Sequence, residues 1–413
     1  MSDDKPQGSA LAYRLVSGML HQPLLLRAVA WLLRRFGFLS SALSAVASAD
    51  GVRRALAREA AFTHDRYAPL LVDGPFLIGL PSGPAHDAKR ACLHRLLPEP
   101  ADVASGSVTA LAGIRANVQA RMAADGQFDL IDDYLVPLVW RSIALAYGAP
   151  AAQALEARPG LLEAARWLGA QLLIGEVAPA AERQRALRSK AILDQAFGHA
   201  MGVAATDLRP EWAASIPGFL ERRRDAIGLL WVGHPATTQG GALNLQELLG
   251  RPALYKFLRR EAAQPGNDPS SAAWRTALKP HVLELLRFRP PFPLLARTVP
   301  REASYPLGEG QVATARPGTL NVLTIGALFD PAGQTPSPRQ YAPLRHFAVE
   351  ADRWLIFGAG PRHCIAQDQV VEILVTALAG LLSLGPKPLR YAGKPWRRRV
   401  YDGPVIVKMP LRF

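Results

Sequence analysis

Phe357-Gly358-Ala359-Gly360-Pro361-Arg362-His363-Cys364-Ile365-Ala366-Gln367 is the stretch on which the reading of this chain turns. Gly358, Gly360 and Pro361 build a tight loop, and the apolar run from Ile365 to Leu384 has helical texture. Cys364 therefore stands just ahead of a helix N-terminus. Free N–H groups there favour negative charge, and so thiolate over thiol. A thiolate so placed is a nucleophile or an iron ligand. The ordinary fate of a lone cysteine is an inert place in a core.

Composition narrows the choice. The chain has 413 residues, 49% hydrophobic and 20% charged, which excludes a disordered or fibrous protein. Its two cysteines, Cys92 and Cys364, exclude a disulfide framework, a four-cysteine zinc site and a four-cysteine iron–sulfur cluster, and suit a reducing compartment. The net charge of +14 points to an acidic partner, nucleic acid, an anionic surface or simply a basic solvated face. No nucleic-acid motif accompanies it. The polar start MSDDKPQGSA lacks the order of a signal peptide, and Leu20–Leu33, with its His, Gln, Pro and Arg residues, cannot span a bilayer. That segment reads as an amphipathic helix packed on the body, or at most touching a membrane peripherally. The expected location is cytoplasmic.

Helical texture dominates the first two thirds: Ala42–Arg58, Gly106–Ala123, Leu130–Tyr147, Leu155–Leu173, Ala181–Phe197, then a long segment from Pro217 to Leu249 and a shorter one over Lys279–Phe288. A loop of apolar residues and turn formers separates Tyr67 from Gly83. After Arg289 come short strand-like runs at Leu294–Val299, Gln311–Ala315 and Leu320–Ile325, an irregular stretch from Phe329 to Phe357, the helix after Cys364, a basic turn and a strand at Val405–Met409. The reading is a mainly α protein with a small β region, in one domain over 1–413, with amphipathic helices in residues 1–60.

Phe357, Gly360, Arg362, Cys364 and the small Ala366 stand at the spacing of the haem-binding loop of the cytochrome P450 family, which this sequence resembles from about Phe76 to its C-terminus. Further features agree in order. Glu284 and Arg287 lie three apart on one helical face, before the prolines of RPPFP. Arg345, in the stretch before the loop, fits as the third member of the family's structural triad. The resemblance implies the P450 fold, with haem b (iron protoporphyrin IX) between a long distal helix and a proximal cysteine loop. It implies Cys364 as the axial thiolate that favours O–O cleavage. Phe357 would shield the sulfur, and His86, Arg90, Arg297 and Arg362 would surround the propionates, to which arginine gives paired charge-assisted hydrogen bonds.

The distal helix departs from the family. At the position of its acid–threonine motif stand Gly233-His234-Pro235-Ala236-Thr237-Thr238. Thr237 keeps the threonine, and Ala236 replaces the acid that relays protons. Pro235 lacks an N–H and frees a carbonyl one turn earlier, so a kink is expected. His234 either supplies acid–base function or is a packed histidine. The substrate pocket, by resemblance, is lined by Phe76, Leu77, Ile78, Trp231, Val232, Leu294 and Leu295, all apolar. The implied activity is monooxygenation of a lipophilic molecule (fatty acid, terpenoid, steroid or polyketide) with electrons from a ferredoxin and its reductase or a flavodoxin. Arg353 and Arg397–Arg399 are candidate contacts for such a partner. The alternatives are a peroxygenase or hydroperoxide isomerase of the same fold, which needs no electron donor, and a non-catalytic haem protein that binds a ligand.

Overall fold

The computed structural model describes the chain except residues 1–9, 58–60, 64, 73, 175–177, 203–207, 309–310, 333, 336, 348, 386 and 394–398. Of the basic turn, Lys394, Trp396, Arg397 and Arg398 lie outside the described residues.

Two helices open the described chain, α1 (Ala10–Leu20) and α2 (Pro23–Arg35). Pro23 suits a first helical turn, where an N–H is not needed. The expected helix over Ala42–Arg58 is instead broken. Ser44 takes a left-handed conformation (φ 43°) and ends one short helix; a strand, β1 (Ala45–Val46), and a second helix, Ala49–Ala57, follow. Next come α3 (Pro84–Leu96), α4 (Pro100–Asp125), α5 (Val136–Ala144) and α6 (Leu161–Ile174). Leu130–Leu135, read as the start of one helix, is a π-helical turn leading into α5. Glu156 ends the helix before α6, at Pro159-Gly160, where Gly160 has φ 74°.

The centre is α7 (Phe219–Leu249), of 31 residues, and α6, α5, α8 (Ala272–Phe288) and α9 (Gln367–Leu382) pack around it. Pro235 stays inside the unbroken α7. A small sheet lies beside this bundle. β2 (Leu295–Val299) runs antiparallel to β3 (Gly318–Val322), with Arg297 opposite Leu320, and β3 pairs in parallel with β1. The strand expected over Leu320–Ile325 ends at Val322, because Thr324–Leu328 turns into a short buried helix under α2. Ala303–Gly308 is an additional strand, paired with Gln311–Ala315. Among the described residues no single helix is long and apolar enough to cross a membrane.

A buried carboxylate joins α8 to the irregular segment. Glu284 accepts from Arg287 Nε and Nη2, both at 2.8 Å, from Arg345 Nη2 at 3.0 Å and from the Ala342 N–H at 2.9 Å. Arg287 also donates to the Leu328 carbonyl and Arg345 to that of Ser337. All three side chains are at most 4% exposed. Burial alone would raise the Glu284 pKa, but the hydrogen bonds and charge of Arg287, with those of Arg345 and Ala342, hold it below its ordinary value. Such a carboxylate stabilises the fold above its unfolded pKa and loses that contribution as pH falls. Glu284→Ala leaves two buried guanidinium groups without their counter-ion. We expect it to destabilise the chain by about 3–5 kcal/mol, read by thermal unfolding at neutral pH. A near-wild-type melting temperature would show that the ion pairs are energetically idle.

Candidate active site

A cavity of about 330 Å³ opens between α7 and the loop that carries Cys364. The helical repeat explains which part of α7 meets it. Leu229, Val232, Gly233, Ala236, Thr237 and Gly240 line the cavity. At about 100° per residue they form one face, and His234 and Pro235 each fall roughly 130° from its centre, on opposite sides.

His234 is therefore not a cavity residue, which corrects the expectation of a distal acid–base group. Its Nε2 meets the Val136 carbonyl at 3.3 Å, and the side chain is buried. Burial, opposed by that carbonyl and reinforced by Arg166, lowers its pKa to about 4. Pro235, where a kink is expected, likewise faces away from the cavity. The Pro235 ring and the Trp231 carbonyl lie against Gly169 of α6, where a Cβ would come within 2.6 Å of Pro235 Cγ and 2.9 Å of that carbonyl. A glycine is needed there for the helices to approach. Trp231 and Leu294, expected in the pocket, are also elsewhere. Trp231 is 1% exposed in the core on the far side of α7. Leu294 joins Val29 and Leu39 in a small cluster under α2. Phe76, Leu77, Ile78, Val232 and Leu295 do line the cavity.

The loop below α7 is held by its own backbone. The Cys364 N–H donates to the Phe357 carbonyl at 2.9 Å, and His363 bridges the Gly358 carbonyl and the Gln367 side chain at 3.0 and 2.6 Å. Gly360 adopts φ 65°, and a Cβ on it would stand 2.8 Å from Ala57 Cα, so the turn requires glycine on both counts. Its role is to shape the loop; it is not among the cavity-lining residues, whereas Phe357, Arg362, Cys364 and Ala366 are. Ala366 caps α9. The helix start does less for the sulfur than its position suggests. Burial pushes the Cys364 thiol up, and the Ala366 N–H and the Arg90 charge oppose this without prevailing. A positively charged ligand to the sulfur is what would make the thiolate stable there.

Four residues from distant parts of the chain meet at the cavity: His86 and Arg90 of α3, Arg297 of β2 and Arg362 of the loop. Arg90 Nη1 donates to the His363 carbonyl at 2.5 Å and ties α3 to the cysteine loop. Arg362 donates to the Leu77 and Leu80 carbonyls and fixes the apolar loop above. Arg297 Nη1 donates to the Ala296 carbonyl at 3.1 Å. His86 is fully buried; Asp87 meets its Nδ1 at 3.2 Å, and its Nε2 has no partner in the structure. An unsatisfied buried polar atom costs about 1–3 kcal/mol, so this one marks a place for an acceptor that the protein itself does not supply. A cavity with a cysteine sulfur on one wall, cations and an orphaned imidazole at its edge and apolar side chains elsewhere fits a flat, apolar, iron-bearing dianion such as haem.

Several lining residues carried no local signal in the sequence: Tyr67, Ser142, Phe292, Thr324 and Gln369. A buried charge cluster was also missed. Lys89 of α3 donates to Asp225 at 2.6 Å and to Glu221, both on α7. Asp225 is fully buried. It could have been suspected as a lone acid opening an apolar run, Asp225-Ala226-Ile227-Gly228-Leu229-Leu230. Arg353 bonds Glu350 and the Arg345 carbonyl and so braces the irregular segment; Arg399 lies over the Tyr391 ring.

No family model matches the chain. Putative cytochrome P450 137 of Mycobacterium tuberculosis is 32% identical over 167 residues, 40% of this chain and 32% of the relative. Cytochrome P450 4X1 of Mus musculus is 27% identical over 170 residues, 39% of this chain and 33% of the relative. The chain thus spans about one third of the length of these curated relatives. Solved structures match far more of it. P450BioI, in complex with an acyl carrier protein ligated to hexadec-9Z-enoic acid, superposes with a TM-score of 0.67 at 17% identity, covering 89% of this chain and 91% of that one. CalO2 gives 0.65 at 18%, covering 92% and 96%. CYP109E1 of Bacillus megaterium with testosterone gives 0.65 at 17%, covering 89% and 91%. The architecture is the cytochrome P450 fold.

The placement of His234 generates a test. Its folded pKa lies below the unfolded value of about 6.5, so the unfolded chain binds the extra proton between the two values. Stability therefore rises with pH across that window and is complete above it. His234→Leu should flatten the loss of stability on acidification from neutral pH towards 4. A variant curve parallel to the wild type would mean that the imidazole is solvated and titrates normally.

Proposed function

We propose that this chain is a member of the cytochrome P450 family and a haem-thiolate monooxygenase of a lipophilic small molecule. The observation that carries the reading is the single cavity that joins Cys364 to His86, Arg90, Arg297, Arg362 and the apolar face of α7. When bound, haem supplies the activation of oxygen and its insertion into a carbon–hydrogen bond. The residues supply the rest. Cys364 Sγ would ligate the iron, held at its position by the Phe357 carbonyl and α9. His86 Nε2 and the three guanidinium groups would hold the propionates, so the dianion is matched by cations at the cavity edge.

On the α7 side, the Thr237 hydroxyl would hold and pass a proton. Ala236 beside it carries none, and no Asp or Glu side chain is among the described cavity-lining residues. Phe76, Ile78, Leu172, Val232 and Leu295 exclude water and orient an apolar substrate. In this reading electrons come from a ferredoxin with its reductase or from a flavodoxin, and the net charge of +14 supports an acidic donor.

The missing carboxylate favours a second reading, peroxide-driven turnover of the same substrates. Hydrogen peroxide already carries both electrons and its protons. With His234 turned away, Thr237 and ordered water are what remains to move a proton in either route.

Two measurements test these readings. The reduced carbon monoxide complex should show the red-shifted absorption of thiolate ligation; Cys364→Ala should abolish it and Cys92→Ala should keep it. Retention of the band in Cys364→Ala would overturn the assignment. Turnover of a lipophilic panel should then be compared with peroxide against NAD(P)H, ferredoxin and reductase. Without an acid at position 236 much of the reducing equivalent should leave as peroxide, and Ala236→Asp should improve coupling several-fold. Tight coupling in the wild type, unchanged in Ala236→Asp, would show that the hydroxyl and water relay is sufficient and would remove the case for peroxide.

A further inference from the structure

α2 carries apolar residues on both its inner and its outer side, yet only the inner one is covered. Leu26, Ala30 and Leu33 form the inner stripe, packed on the body. On the opposite side Leu24, Leu25, Trp31 and Leu32 are exposed, at 73%, 47%, 52% and 39%. The chain just beyond adds Phe36, Phe38 and Leu43, and α1 adds Leu11 and Leu15. Large apolar side chains clustered at an exposed surface normally mark a partner.

Charge says which partner. From Lys5 to Ala49 the sequence holds no Asp or Glu, while Lys5, Arg14, Arg27, Arg34 and Arg35 fall within it. Arg27 and Arg34 turn inward, onto the Phe288 carbonyl and onto those of Ala47 and Gly326. Arg14 and Arg35 remain exposed; Arg14 shares a face of α1 with Leu11 and Leu15, and Arg35 lies over the Phe36 ring. A second copy of this chain would set these cations against themselves with no acid to meet them. A bilayer of anionic lipid offers both what the leucines and what the arginines need. Trp31 beside Leu24 and Leu32 is the residue type that settles at headgroup depth. α1 and α2 meet at a bend of 100°, so the pair is not one straight span.

We propose that the outer face of α2, with its continuation to Leu43 and the exposed strip of α1, docks the protein in the plane of an anionic lipid surface. The inner side of the same helix then becomes informative. Val29 and Leu294 both pack on the small cluster that holds Leu323, and Leu294 and Leu323 are the immediate sequence neighbours of the cavity residues Leu295 and Thr324. Docking by α2 holds this wall of the cavity close to the lipid phase, where apolar molecules concentrate.

The full-length protein, spun with vesicles of phosphatidylglycerol and phosphatidylcholine in equal parts, should pellet with them at low salt and be released as salt rises. Phosphatidylcholine alone should retain much less. Leu24→Glu with Phe38→Glu, both outward, should leave the far-ultraviolet circular dichroism unchanged and lower the vesicle partition by at least about tenfold. Arg14→Gln and Arg35→Gln should each lower it by roughly fivefold and reduce the salt dependence. A wild type that stays in the supernatant with anionic vesicles overturns the proposal, as does pelleting that the double glutamate variant does not weaken. A dimer in solution that the glutamates dissociate, with no vesicle binding, would assign the face to a second copy instead.

Discussion

The Glu284 carboxylate, buried between Arg287 and Arg345, is the contact on which the site depends. It is the one acid of that cluster, and it joins elements that share no regular secondary structure. Through Arg287 it reaches the Leu328 carbonyl, and through Arg345 the stretch at Ser337 to Ala342. That stretch leads into Glu350–Phe357, whose last residue receives the Cys364 N–H. The segment has only a two-residue ladder, Gln334–Thr335 against His346–Phe347, to hold it, so much of its position comes from side-chain charge. Buried pairs of this kind stabilise little against a well-packed apolar alternative, yet breaking one is costly. What the triad contributes is registration: it gives a segment with little regular hydrogen bonding a single place to be.

From that anchored loop the cavity is assembled by arginines that bond carbonyls. Arg90 holds the loop to α3, and Arg362 holds it to the apolar segment at Leu77–Leu80. Lys89, one residue before Arg90, is tied to Asp225 and Glu221, so α3 is fixed at once to the loop below and to α7 above. The same helix therefore sets the spacing of the two walls. The cavity that results is apolar over most of its surface and cationic at one edge, and a haem dianion would satisfy both features together with the orphaned His86 nitrogen.

The two sides of α7 divide the work. One face, small at Gly233, Ala236 and Gly240, leaves volume above the sulfur. The other, with Trp231, His234 and Pro235, is packing surface against α6 and the Val136 turn. The proline sits on the packing side, where Gly169 receives its ring and the carbonyl it frees. The unusual residues of the distal motif are thus mostly structural. On the proposed reading, the substitution that would matter for chemistry is the plainest one, alanine at 236.

The cysteine loop, the Glu284–Arg287 pair and the mainly helical class were legible in the sequence because each is a local pattern. A tight turn needs glycine within a few residues, an ion pair on a helix needs a spacing of three, and helical texture repeats over a dozen positions. The facing of α7 was not legible. Both of its faces are apolar, and a phase of about 100° per residue says which residues share a face but not which face meets a cavity. Only the packing of Gly169 on Pro235 decides that, and with it the fates of His234 and Trp231. The same holds for Thr324 and Ile325, read as the end of a strand but placed in a short helix under α2, and for Lys89 with Asp225, separated by 136 positions. Contacts between distant segments leave no periodicity in a chain, so their partners appear only when the fold brings them together.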